Sequence, residues 1–310
     1  MAEHDQRFKA LLREFFPEFL RLFFPGPASR LDLARPEWLD KELLPQPPQG
    51  DVLLLDLVAR VPRLGQPAAP GEPGGAVALV HIEVESRDAV AGLRRRMFEY
   101  YEVLRRIHDE PVLPIAVYLR VGLEGVGIDV YTEEYDGLEV LRFQFYYVGL
   151  PALDAERFVS GDNLLGVGLS ALMQAPEAAR ARLGLQALYR VMVESGENAY
   201  RKHLLGECLQ AYLALNEEQG REYERLKQTE PFKEIDPMIT STADMLLAKG
   251  REQGLVEGQR RAVRNQLEHL FGPLSPVAVQ RLETLPPDQL AELELALLKA
   301  PSLKALKLED

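Results

Sequence analysis

Residues 77–85 read VALVHIEVE, and this stretch limits the fold more than any other. Its alternation has the period of two that belongs to a strand. Ala78, Val80, Ile82 and Val84 fall on one face, which is uniformly apolar and belongs against a core. Val77, Leu79, His81, Glu83 and Glu85 fall on the other, which turns from apolar to acidic toward its C-terminal end. Two like charges on one face of a core strand repel each other and resist desolvation. A metal ion, a basic partner or solvent has to offset that cost. The segment ahead of it, DVLLLDLVARV at residues 51–61, reads as a strand that ends at Pro62 and carries Asp56 inside its apolar run. Asp is disfavoured inside a strand, and its charge is costly to bury without a partner. Joined through the Pro/Gly-rich PRLGQPAAPGEPGGA, the two strands form a hairpin that brings Asp56 and Glu83 close together.

The remaining segments supply the frame. Residues 6–24 are an amphipathic, aromatic-rich helix that Pro17 kinks or splits. EWLDKELL reads as one or two helical turns. RDAVAGLRRRMFEYYEVLRRIHDE is a helix, with Leu93, Met97, Tyr100, Leu104 and Ile107 recurring at steps of four and three. PVLPIAVYLRV, VGIDVYT and LEVLRFQFYYV are strands, the last two separated by the turn-like EEYDG. Roughly five strands and one prominent crossover helix make an α/β pattern. From about residue 151 the chain turns helical. We therefore expect an α/β domain at 1–150, a helical extension at 151–247 and a small helical domain at 248–310, the last including a helix pair hinged at Pro286-Pro287.

Several function classes are excluded. The single cysteine, Cys208, rules out an internal disulfide framework and suits a reducing cytoplasm; within HLLGECLQAYLAL it reads as a buried structural thiol. The first residues lack the features of a signal peptide, and no apolar run approaches the roughly 18 residues of a membrane span, so no membrane partner is expected. GDNLLGVG lacks the strand and the lysine of a phosphate loop, and neither a G-x-S-x-G elbow nor a histidine or cysteine metal spacing is present. The net charge of −12 argues against a nucleic-acid partner only globally. Residues 1–120 carry 16 Lys+Arg against 18 Asp+Glu, while the rest of the chain carries 20 against 30. The acidity lies in the C-terminal part, and Arg94, Arg95, Arg96, Arg105 and Arg106 form a basic cluster in the first.

The order is distinctive: an aromatic N-terminal helix, WLDKELL, a strand with an internal Asp, a Gly/Pro loop, HIEVE, RRMFEYYEVLRR and PVLPIAVYL. Over about residues 5–165 it resembles the recombination-promoting nuclease (Rpn) or transposase-type family of the PD-(D/E)XK nuclease superfamily. Residues 248–306 are similar to a small helical domain of unknown function that often accompanies such proteins. The resemblance implies a PD-(D/E)XK-like α/β fold, a mixed central sheet flanked by helices and followed by an all-α C-terminal region, and hydrolysis of DNA phosphodiesters with Mg²⁺ or Mn²⁺. It places Asp56 and Glu83 on the metal and makes Asp56, Glu83 and Glu85 the catalytic set. Arg94, Arg95, Arg96 and Tyr100 become candidate phosphate contacts, and Glu42 a lesser metal candidate. A homodimer would suit paired strand cuts.

Glu85 departs from the pattern, because that position is Lys in the superfamily and commonly Gln in the family. A glutamate there is a general base, a third metal ligand or the mark of a degenerate site. The rival reading is a catalytically silent member of the fold that binds partners through its acidic helical half. Tyr100 also fits the core stripe, and His81 also fits an ordinary sheet histidine.

Overall fold

The computed structural model describes residues 2–39, 42–43, 53–65, 77–85, 90–120, 122–297 and 302–308. Residues 1–240 form one compact unit and residues 241–310 a second.

The first unit opens with α1 (Ala2–Glu14), α2 (Phe16–Phe23) and α3 (Pro25–Ala28). The break after Glu14 follows from Pro17, which has no N–H to donate and whose ring would clash with the carbonyl four residues back; it sits instead in the first turn of α2. Then come the short strands β1 (Glu37–Trp38), β2 (Glu42–Leu43) and β3 (Leu53–Leu54), followed by β4 (Leu57–Pro62) and β5 (Val77–Glu85). Helix α4 (Val90–His108) leads to β6 (Val112–Tyr118), β7 (Gly125–Tyr135) and β8 (Leu138–Gly149). Among the described residues the main sheet has six strands in the order β1-β4-β5-β6-β8-β7. β4 and β5 are antiparallel, as a hairpin requires, whereas β5, β6 and β8 run parallel to one another and β7 pairs antiparallel with β8. α4 is the crossover that a parallel β5–β6 pair needs.

Two expectations are corrected. EWLDKELL forms no helical turn in its described residues: Glu37 and Trp38 pair with Arg60 and Ala59 as an edge strand, and Glu42 and Leu43 pair with Leu54 and Leu53. Cross-strand partners decide this, with Trp38 set edge-on to Phe16 at 5.3 Å. DVLLLDLVARV is also not one strand. It breaks at Leu55-Asp56, with the ladder to β5 ending at Leu57 opposite Ile82. There the Asp56 side chain takes over the backbone's role, accepting the Val84 N–H at Oδ2 over 2.8 Å. Residues 51–52 and the Pro/Gly connection 66–76 lie outside the described residues.

The sheet is covered on both faces. Ala78, Val80, Ile82 and Val84 pack into the large core with Ile115, Val117, Val148 and the phenylalanines of α1 and α2. On the opposite face Leu93 and Met97 meet Ala116, Tyr118, Phe143 and Phe145, while Tyr100, Val103 and Leu104 meet Leu55, Val58 and Leu79. Ile107, expected on this stripe, is 51% exposed.

The helices after the sheet are α5 (Ala155–Val159), α6 (Leu164–Leu169), α7 (Glu177–Tyr189), α8 (Ala199–Tyr212), α9 (Glu217–Lys227) and the start of α10 (Ile235–Phe271). Leu165, Val167, Leu185, Leu188, Leu205 and Leu209 join the same core as the sheet. The change near residue 150 is thus one of secondary-structure type within a shared core. In the second unit the end of α10, α11 (Pro276–Thr284) and α12 (Pro287–Leu297) enclose Val263, Leu267, Ala278, Leu282, Leu290 and Leu293, with Pro286-Pro287 at the hinge. No described helix is long and apolar enough to cross a membrane.

Candidate functional site

The acidic end of β5 lies beneath α4, beside the break that precedes β4. His81, Glu83 and Glu85 are buried there, at 0%, 4% and 5% exposure. Solvent therefore does not offset the two carboxylates. Arg96 of α4 does: its Nε donates to Glu83 Oε1 at 3.1 Å and its Nη2 to Glu85 Oε2 at 2.9 Å. Leu93 and Arg96 are three residues apart on α4, which turns both toward the sheet.

Asp56 enters from the neighbouring strand. Lys9 of α1 places its Nζ 2.5 Å from Asp56 Oδ1, with both side chains largely buried. Burial, and next the charge of Glu83, nevertheless push the Asp56 carboxyl above its ordinary value; Lys9 and the Val84 N–H pull the other way without prevailing. Asp56 and Glu83 are thus close enough to repel each other. His81 Nε2 lies 3.5 Å from Glu83 Oε2, and the Tyr100 ring stands edge-on to the imidazole at 5.6 Å. Burial, then Glu83, raises the Tyr100 hydroxyl to about 12.

The raised value has a measurable consequence. The folded chain holds the Asp56 proton more tightly than the unfolded chain does. Stability therefore falls as pH rises from the ordinary Asp value through the raised one. Asp56→Asn cannot titrate and lacks this slope. Urea midpoints compared between about pH 4 and pH 7 should shift in favour of the wild type, relative to this variant, as pH falls. A pH-independent difference would remove the burial argument.

The structure brings together Asp56, Glu83, Glu85, Arg96 and Tyr100 of the expected residues. Arg94 is directed elsewhere, its Nε bonded to Asp129 Oδ2 on β7 at 2.8 Å. Arg95 lies on the outer face, paired with Glu99 one turn on. Arg105 and Arg106 likewise face Asp109 and Glu102 along the helix. The Glu42 side chain lies outside the described residues. Sequence reasoning missed Lys9 and Asp129. Asp129 carried a faint signal, as an acid inside VGIDVYT; Lys9 carried none beyond membership of a polar helix face.

No family model matches the chain, nor does any curated protein or solved structure. Any reading of the site rests on its own chemistry.

Two carboxylates fit a hard divalent cation that keeps most of its waters. One oxygen, Glu83 Oε2, is buried without a hydrogen-bond partner among the described residues, as are both His81 nitrogens. Such atoms are costly unless something binds them. The fit is confined to this pair: among the described residues no cluster of three or more His, Cys, Asp or Glu is arranged to hold an ion. Lys9 and Arg96 hold the other bonded oxygens, so three carboxylates face two cations.

Proposed function

We propose that the chain is a metal-dependent DNA endonuclease of the recombination-promoting type, with Asp56 and Glu83 as the residues that would hold Mg²⁺ or Mn²⁺. The observation that carries this reading is the meeting of Asp56 and Glu83 at a buried sheet end, where one Glu83 oxygen makes no hydrogen bond among the described residues and has only the His81 imidazole 3.5 Å away. When bound, the ion supplies an acidified water and offsets charge on the phosphate. Arg96 fixes the Glu83 carboxylate by its Nε–Oε1 bond. Lys9 supplies the cation that position 85 cannot. Its flexible stem reaches Asp56 and lets the ammonium turn toward a phosphate oxygen. Glu85, tied to Arg96, serves better as an anchor for that guanidinium than as a general base.

A second reading has its own support. Lys9 and Arg96 already engage all three carboxylates, which is how a silent site in a scaffolding protein would settle. Two measurements separate the readings. Purified protein with supercoiled plasmid and Mg²⁺ or Mn²⁺ should nick the DNA, and calorimetric titration with Mn²⁺ should show a binding heat that Asp56→Asn abolishes. Well-folded protein that neither nicks nor binds the ion would favour the scaffold.

A further inference from the structure

Helix α1 has a polar face on which Gln6, Lys9, Ala10 and Arg13 recur at steps of three and four, opposite the buried Phe8, Leu11, Leu12 and Phe15. This face does not simply meet solvent. With Glu14, Trp38 of the edge strand, Leu57 and Tyr200 of α8, it lines a groove of about 470 Å³. The groove adjoins the carboxylate site, because Lys9 belongs to both and Leu57 directly follows Asp56.

Its chemistry is specific. The Arg13 guanidinium lies 4.9 Å from the centre of the Trp38 ring, and no carboxylate pairs with it among the described residues. Tyr200, also in the lining, is 45% exposed. A groove lined by two cations, one of them shared with the carboxylate site, by two aromatic rings and by a single carboxylate is suited to one kind of occupant. Its phosphates meet Lys9 and Arg13, and its base stacks on Tyr200 and on the plane that Arg13 and Trp38 present. A volume of this size lies within the range of roughly 300–1,000 Å³ typical of small-ligand sites and is enough for one nucleotide. A base inside a duplex is already stacked and presents no free face.

We propose that this groove holds an unpaired nucleotide next to the phosphate at the carboxylate site, so that the substrate carries a single-stranded segment beside the position of cleavage. The proposal rests on the nuclease reading and names its substrate class. It differs from the expected Arg94–Arg96 surface, whose guanidinium groups are engaged by Asp129, Glu99, Glu83 and Glu85.

Trp38 is the only tryptophan in the chain, so intrinsic fluorescence reads this groove directly. The test titrates the whole protein in EDTA, where no cleavage occurs, with a short oligothymidylate, its duplex with oligoadenylate and an abasic strand of equal length. Saturable quenching by oligothymidylate is expected, with binding of the duplex and the abasic strand about tenfold weaker. Tyr200→Ala and Arg13→Gln change exposed side chains and should each weaken oligothymidylate binding about tenfold. Trp38 emission unchanged while anisotropy reports bound strand would overturn the proposal. Equal affinity for the abasic strand, or no binding at all, would do the same. The two readings fail separately: quenching without plasmid nicking sinks the nuclease and keeps a strand-binding groove, whereas nicking without quenching sinks the groove alone.

Discussion

Glu83→Gln is expected to lower metal-dependent plasmid cleavage by about 10²–10³-fold and to leave the protein at least as stable as the wild type. The activity loss follows from the ligand count. A metal site of two carboxylates loses half its protein charge when one becomes an amide. A metal's contribution of several kcal/mol to the transition state then drops by roughly 3–4 kcal/mol, each 1.36 kcal/mol being tenfold in rate. The stability result follows from the charge count. Among the described residues, Asp56, Glu83 and Glu85 face only Lys9 and Arg96, three negative charges against two positive. Glutamine removes that excess, keeps the shape of the side chain and can still accept the Arg96 Nε–H. It also relieves the repulsion that raises Asp56. Plasmid nicking rates and urea midpoints measured on the same preparation check both halves. Unchanged cleavage would show that Glu83 holds no catalytic ion. Lost cleavage with a lower midpoint would reduce the residue to a structural role.

The parts of this site that the sequence displayed are those fixed by local periodicity. The two faces of VALVHIEVE follow from period two, and the buried stripe of α4 from steps of three and four; both persist because tertiary packing agrees with them. Asp56 was conspicuous as a charge in an apolar run. That its carboxylate replaces a ladder acceptor and splits the strand depends on where Val84 sits, which no local pattern records. EWLDKELL misled for the same reason, since a stretch this short carries no periodicity strong enough to outweigh the edge pairing with Arg60 and Ala59. Lys9 was invisible because a lysine on the polar face of an amphipathic helix looks alike whether it meets water or a carboxylate. The arginine run was legible as a cluster but not in its roles. Adjacent residues on a helix point in different directions. Arg96 accordingly reaches β5, Arg94 reaches β7 and Arg95 stays on the outer face.

Arg96 therefore leads to a prediction opposite to that for a phosphate-binding arginine. Arg96→Ala is expected to destabilise the protein by about 3 kcal/mol, whether or not DNA is present. Removing one partner of a buried ion pair costs about 3–5 kcal/mol because the other charge is left without compensation. Here Glu83 and Glu85 lose the same guanidinium while almost fully buried. The lower end applies because Arg96 is itself 35% exposed, which lets water reach the vacated space. Adding Glu85→Gln to Arg96→Ala neutralises one of the two carboxylates that lose the guanidinium and should recover at least half the loss. Arg96→Lys should recover less than that, because an ammonium keeps the charge but cannot bridge both carboxylates as the planar fork does. Urea unfolding of the four proteins in EDTA measures the set. A midpoint for Arg96→Ala equal to that of the wild type would show that the carboxylates need no cation.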